Sequence, residues 1–121
     1  MLLPRLLGAT TIAFSAAIMA HPPLMAGPSG MLDRDGRLPR DVRLLMYAMG
    51  VRDMALGAAM LCAPSPRAMR VAVSARVAAD LGDAVVFGLG LPRRRHRAAV
   101  AAMAGGWAAV CAASLRGLPA E

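Results

Sequence analysis

Leu44 to Ala63 reads LLMYAMGVRDMALGAAMLCA, an apolar run broken near its centre by Arg52 and Asp53. Val71 to Leu91, VAVSARVAADLGDAVVFGLGL, repeats the arrangement with Arg76, Asp80 and Asp83. Each run is about the ~20 residues needed to cross a bilayer at ~1.5 Å per residue. Charge at the middle of a bilayer is expensive and is seldom kept without a partner or a task. These two stretches therefore set the fold class and mark where a site is to be sought.

The rest of the composition agrees. Among 121 residues, 58% are hydrophobic, 17% are charged and only 3% are aromatic. A soluble core of this size carries more aromatic residues and a charged share nearer a quarter. The apolar residues are mostly Ala, Val, Leu and Met, gathered into four blocks, which reads as membrane spans. The formal charge is +7, and every basic residue is Arg. These arginines lie mostly between the apolar blocks, as membrane insertion requires, and not on a polar surface of the nucleic-acid-binding kind.

Four helices are expected, over about residues 6–25, 43–63, 69–91 and 98–115, in one integral membrane domain spanning 1–121. The first block, with Arg5 ahead of it, also has the outline of a cleavable signal peptide ending at Ala20. Ile18 is a poor small residue at the −3 position, so a retained helix is the preferred reading. A polar loop over 26–42 contains Pro28, Gly30, Gly36 and Pro39. Pro64-Ser65-Pro66 ends the second block sharply, making blocks two and three antiparallel neighbours. Pro92 stops block three, and Arg93-Arg94-Arg95-His96-Arg97 forms a basic turn. Gly105-Gly106, with Ala101 and Ala102, supplies small-xxx-small spacing suited to close helix packing. The expected fold is all-α, a four-helix transmembrane bundle with up-down topology.

Arginine counts give an orientation. Arg34, Arg37, Arg40, Arg43, Arg93, Arg94, Arg95 and Arg97 fall on one side, against Arg5, Arg67, Arg70 and Arg116 on the other. The positive-inside rule places the first set in the cytoplasm and both termini outside, in a bacterial-type plasma membrane. The lipid bilayer is the expected partner; a homo-oligomer or another membrane protein remains open, and no nucleic acid is expected.

Spacing brings the charges together. Arg76, Asp80 and Asp83 fall at i, i+4 and i+7, on one helix face. Counted from the turn joining the two blocks, Arg52 and Asp80 lie at the same depth, ~16 Å. Arg52 and Asp53 are about 100° apart on their helix and so should not point the same way. Gly50 and Gly57 flank Asp53 at i−3 and i+4 and, with Gly82, are expected to let a neighbouring helix press close. Each central Arg or Asp costs about 2.5–3.5 kcal/mol to insert, roughly 7–10 for block three, while its apolar residues return some 3–5. Block three therefore needs partners. The expected site is an intramembrane network of Arg52, Arg76, Asp80 and Asp83, with Asp53 joining it or facing another helix.

Other candidates fall away. Cys62 and Cys111 lie near helix ends on one side, where a disulfide is geometrically open, but buried free thiols are the simpler reading. There is no CxxC, and no metal site or cofactor is expected. Asp33-Arg34-Asp35-Gly36 lacks the ligands of a calcium loop. Gly88-Leu89-Gly90 lacks the third Gly of a dinucleotide fingerprint. No nucleophile–base arrangement is present, so no catalytic residue is expected and enzymatic activity is left open. His21 and His96 read as solvated loop residues. The arginine turn could hold anionic lipid heads but more economically orients the chain.

Gly50-Val51-Arg52-Asp53, with Gly57 four residues on, resembles the Gly-x-Arg-Asp-x-x-x-Gly of a domain-of-unknown-function family of small four-helix membrane proteins. Asp83, in Leu81-Gly82-Asp83-Ala84, matches an acidic position in the third helix of that family. The similarity covers roughly Val42 to Leu115, and the layout is distantly similar to DoxX-type membrane proteins. The resemblance implies a four-helix membrane fold; the distant one implies a redox accessory role. The function expected from the residues is an intramembrane polar site for a proton or small solute. Alternatives are a non-transporting subunit of a membrane assembly and the redox accessory.

Overall fold

Proline sets where the helices begin and end. In the computed structural model, which describes residues 1–119, α1 (Leu2–Ala20) stops at His21. Pro22 follows, and a residue before proline is pushed out of the helical region. A short helix, α2 (Pro23–Ala26), starts after this break. The block expected over 6–25 is thus divided at His21-Pro22 into two helices. α3 covers Arg40–Cys62. α4 (Pro66–Gly90) begins with Ser65 as its N-cap, whose hydroxyl accepts from the Ala68 N–H at 3.1 Å, and with proline at its first position. The helix therefore starts three residues earlier than the apolar pattern indicates. Leu91, extended ahead of Pro92, ends it. α5 spans Arg94–Ser114 and runs into a 3-10 turn, Leu115–Gly117. No strand occurs among the described residues.

α1, α3 and α5 with its turn are long and apolar enough to cross a membrane. α4 is longer than any of them, but Arg76, Asp80 and Asp83 occupy its middle. The four-span expectation is met by length and composition at three helices. Outward faces are mostly apolar: Leu3, Val51, Val86 and Val110 are all exposed.

α1 packs mainly on α3, and α4 mainly on α5. Gly8 and Gly57 face each other across the first pair. A Cβ at Gly57 would meet the Gly8 carbonyl oxygen at 2.7 Å, and one at Gly8 would meet that of Gly57 at the same distance. Gly50 lies under Met19. The neighbouring helix that presses against the glycines of α3 is thus α1. Gly82 meets no neighbour within 4 Å, nor do Gly105 and Gly106, so no close packing within this chain uses them. Arg5 closes the end of the first pair by donating to the Ala63 carbonyl at 3.0 Å, just past the C-terminus of α3. Arg97 likewise donates to the Leu91 carbonyl at the end of α4.

The buried core lies at the Arg5–Ala63 end, where Leu7, Met60, Met69, Val73 and Cys111 pack together. Towards the other end the helices leave a space. The connection expected to be a plain polar loop folds against it, burying Ala26 and Ser29. His96 Nδ1 lies 2.9 Å from the Pro28 carbonyl oxygen and ties this connection to the start of α5, so His96 is not merely solvated. Asp33 Oδ1 accepts from the N–H groups of Asp35 and Arg37, so its carboxylate is spent on the turn.

Candidate functional site

The five mid-helix charges form one connected cluster. Arg52 on α3 makes a two-pronged contact with Asp83 on α4, Nη1 to Oδ1 at 2.9 Å and Nη2 to Oδ2 at 2.6 Å. It also donates to its neighbour, with Nε and Nη2 at 3.0 and 2.8 Å from Asp53 Oδ1. Arg76 makes the matching two-pronged contact with Asp80, one turn on, at 2.9 and 2.6 Å. Its Nη1 lies 3.1 Å from Asp53 Oδ1, without the alignment of a hydrogen bond. Asp53 thus links the two arginines, and the two helices are joined by ion pairs where they otherwise touch sparsely. Planar guanidinium–carboxylate pairs of this kind fix orientation as well as charge.

Two details differ from the spacing argument. Arg52 meets Asp83, not Asp80 at its own depth. Side chains lean towards the N-terminus of their helix, so on antiparallel neighbours they lean in opposite directions. Arg52 leans away from the Ala63–Ser65 corner and Asp83 leans back towards it, which closes the gap. The second difference is that Arg52 and Asp53 do contact each other. The arginine stem is long enough to span the ~100° between successive residues.

Burial grades the pairs. The Arg76 and Asp80 side chains are only 7% and 4% exposed, whereas Arg52 is 37% exposed. The Arg76–Asp80 pair is therefore the desolvated centre, and Arg52 is a clasp at the outer edge.

A cavity of about 310 Å³ lies against this cluster, with Asp53, Arg76, Asp80 and Asp83 on its wall. The remainder is apolar: Phe14 from α1, Met46 and Met49 from α3, Phe87 from α4, and Met103 and Trp107 from α5. Met25, Ser29 and Met31 of the α1–α3 connection also border it. Three of the four aromatic residues, the two Phe and the one Trp, contribute to this wall, leaving out only Tyr47.

Sequence reasoning missed the contribution of α1. Thr11 and Ser15, buried and on the wall, sit one turn apart in a largely apolar helix. That i, i+4 pair of hydroxyls was the available signal. Trp107, the sole tryptophan, midway along the Ala-rich α5, was the other.

Cys62 is exposed and Cys111 buried, and both thiols are free. No group of three or more potential metal ligands occurs among the described residues. Comparison with family models, curated proteins and solved structures finds no match to the chain. The geometry of the site alone carries the functional reading.

Proposed function

We propose that the chain is a multi-pass integral membrane protein, an up-down bundle of α1, α3, α4 and α5, whose Arg/Asp cluster forms the polar wall of a site for a proton or small solute. The observation that carries this reading is the cavity ending on desolvated charge. A purely structural ion-pair network needs no space beside it, and ionisable groups at membrane depth commonly border a ligand or ion pathway. Mostly apolar outward faces on all four long helices support the bilayer as surroundings, and the two-pronged pairs give α4 the partners its charges require. The arginine distribution supports an orientation with both termini outside, which we propose for a bacterial-type plasma membrane. The resemblance around Gly50–Asp53 supports the same membrane fold.

The test is flux in proteoliposomes, read with an internal pH dye and with added solutes. Asp80→Asn and Asp83→Asn are expected to reduce it. Wild-type flux in both variants would overturn the reading, and reporter fusions at both termini test the orientation.

A second reading, a non-transporting subunit of a membrane assembly, draws on the Arg52–Asp83 clasp, which also serves to hold α3 to α4. It predicts that these substitutions lower abundance or partner recovery while flux is absent from the wild type as well. The DoxX-like redox accessory role has only the two free thiols to draw on in this chain.

A further inference from the structure

We propose that the cavity takes an organic ammonium ion with an apolar body; this rests on the solute-site reading above and names the class of solute. The charge balance comes first. Asp53, Asp80 and Asp83 face the cavity against Arg76 alone, and counting Arg52 behind them still leaves one negative charge in excess. An anion meets net repulsion there.

The accessible polar atoms point the same way. Arg76 Nη1 has no hydrogen bond, but it is fully enclosed and faces Asp53 Oδ1, so it presents nothing to a ligand. Both oxygens of Asp80 and of Asp83 are engaged by arginine. Asp53 differs: its Oδ1 takes every arginine contact, and its Oδ2 takes part in none of the cluster's bonds. One carboxylate oxygen is therefore left for a cation.

A second group is unpartnered independently of the acids. Thr11, on the cavity wall and 4% exposed, has a hydroxyl with no hydrogen-bond partner, but it is enclosed like Arg76 Nη1 and likewise presents nothing to a ligand, which leaves Asp53 Oδ2 as the polar anchor. Phe14, Phe87 and Trp107 supply aromatic surface for the apolar body and ring faces that attract ammonium.

The entrance suits such a molecule. α1 and α5 make little contact, and between them Phe14 and Met103 are 49% and 40% exposed. Both residues lie mid-helix, so the opening faces sideways into the surrounding medium, which for a membrane-borne chain is the acyl layer. Ligands that dissolve there carry an apolar body.

Trp107, the sole tryptophan, sits on the wall and reports occupancy directly. The experiment titrates the full chain, in lipid nanodiscs, with three probes of one size: 2-phenylethylammonium, 2-phenylethanol and phenylacetate. The expected result is a saturable change in Trp107 emission for the ammonium, at least about tenfold tighter than for the other two. In Asp53→Asn, where Arg52–Asp83 and Arg76–Asp80 still pair, that preference is expected to vanish. If this variant does not fold, the wild-type probe series decides alone. Equal or tighter saturable binding of the alcohol or the carboxylate overturns the ammonium assignment and leaves the solute site standing. A folded Asp53→Asn that keeps the preference also overturns the assignment. No saturable response to any probe overturns both.

Discussion

Gly57→Ala tests how α1 is held against α3. The added Cβ would lie 2.7 Å from the Gly8 carbonyl oxygen and 2.9 Å from Ile12 Cγ1. Ordinary contact begins at 3.4 Å, so the helices must part by about 0.7 Å at this point. The nearest atom is backbone and cannot swing aside. A gap of that size forfeits a quarter to a half of each dispersion contact along the seam, and forced overpacking costs about 1–3 kcal/mol. Replacing glycine by alanine within a helix returns up to about 1 kcal/mol, which obscures the loss in a single variant. Gly82→Ala gains the same return and meets nothing within 4 Å, so the difference between the two variants isolates the contact. Thermal denaturation in detergent, followed by size-exclusion chromatography, should place Gly57→Ala on the order of 5–10 °C below Gly82→Ala. Because α1 carries Thr11, Phe14 and Ser15 into the cavity, the same shift should weaken ligand binding there. Equal stability of the two variants would refute the close approach of α1 and α3.

Other substitutions probe the charges, the thiols and the helix end. Asp80→Asn leaves the buried Arg76 with Asp53 alone, at a cost of about 3–5 kcal/mol. Monodisperse protein should fall sharply, and adding Arg76→Gln should restore part of it; a double variant no better than the single one would refute an uncompensated charge. Maleimide should label Cys62 in the folded protein and reach Cys111 only after unfolding, with no cross-link on a non-reducing gel. Arg5→Gln removes the cap on Ala63 at about 1 kcal/mol, and faster hydrogen exchange over the last turn of α3 would register it.

Composition and proline placement made the helical class and most boundaries readable in the sequence. The apolar character of the first block continues to Met25, but the backbone cannot pass His21-Pro22 as a helix, so the prolines and not the hydropathy mark its end. All five charges were identifiable because charge inside an apolar run stands out. Their pairing was less accessible: counting residues fixes Cα depth but neither the lean of side chains nor the reach of arginine. A polar site beside the charges was expected, but the rest of the cavity lining was not legible. It needs Thr11, Phe14, Phe87 and Trp107 from three helices, and nothing in the order of the chain says which helix faces meet. Glycine spacing was informative only in part for the same reason, since Gly50 and Gly57 show that a helix can come close without saying which one.

The short corner from Ala63 to Ser65 has a bearing on biosynthesis. Arg52 leaves the ribosome 31 residues ahead of Asp83, roughly 2–6 s at ~5–20 residues per second. Until then the nascent guanidinium has only Asp53 beside it. On the membrane reading proposed above, insertion of the central hairpin is expected to be a single event timed by translation. A polypeptide stalled after Leu91 already owns both jaws of the clasp, and one stalled after Ala63 owns half.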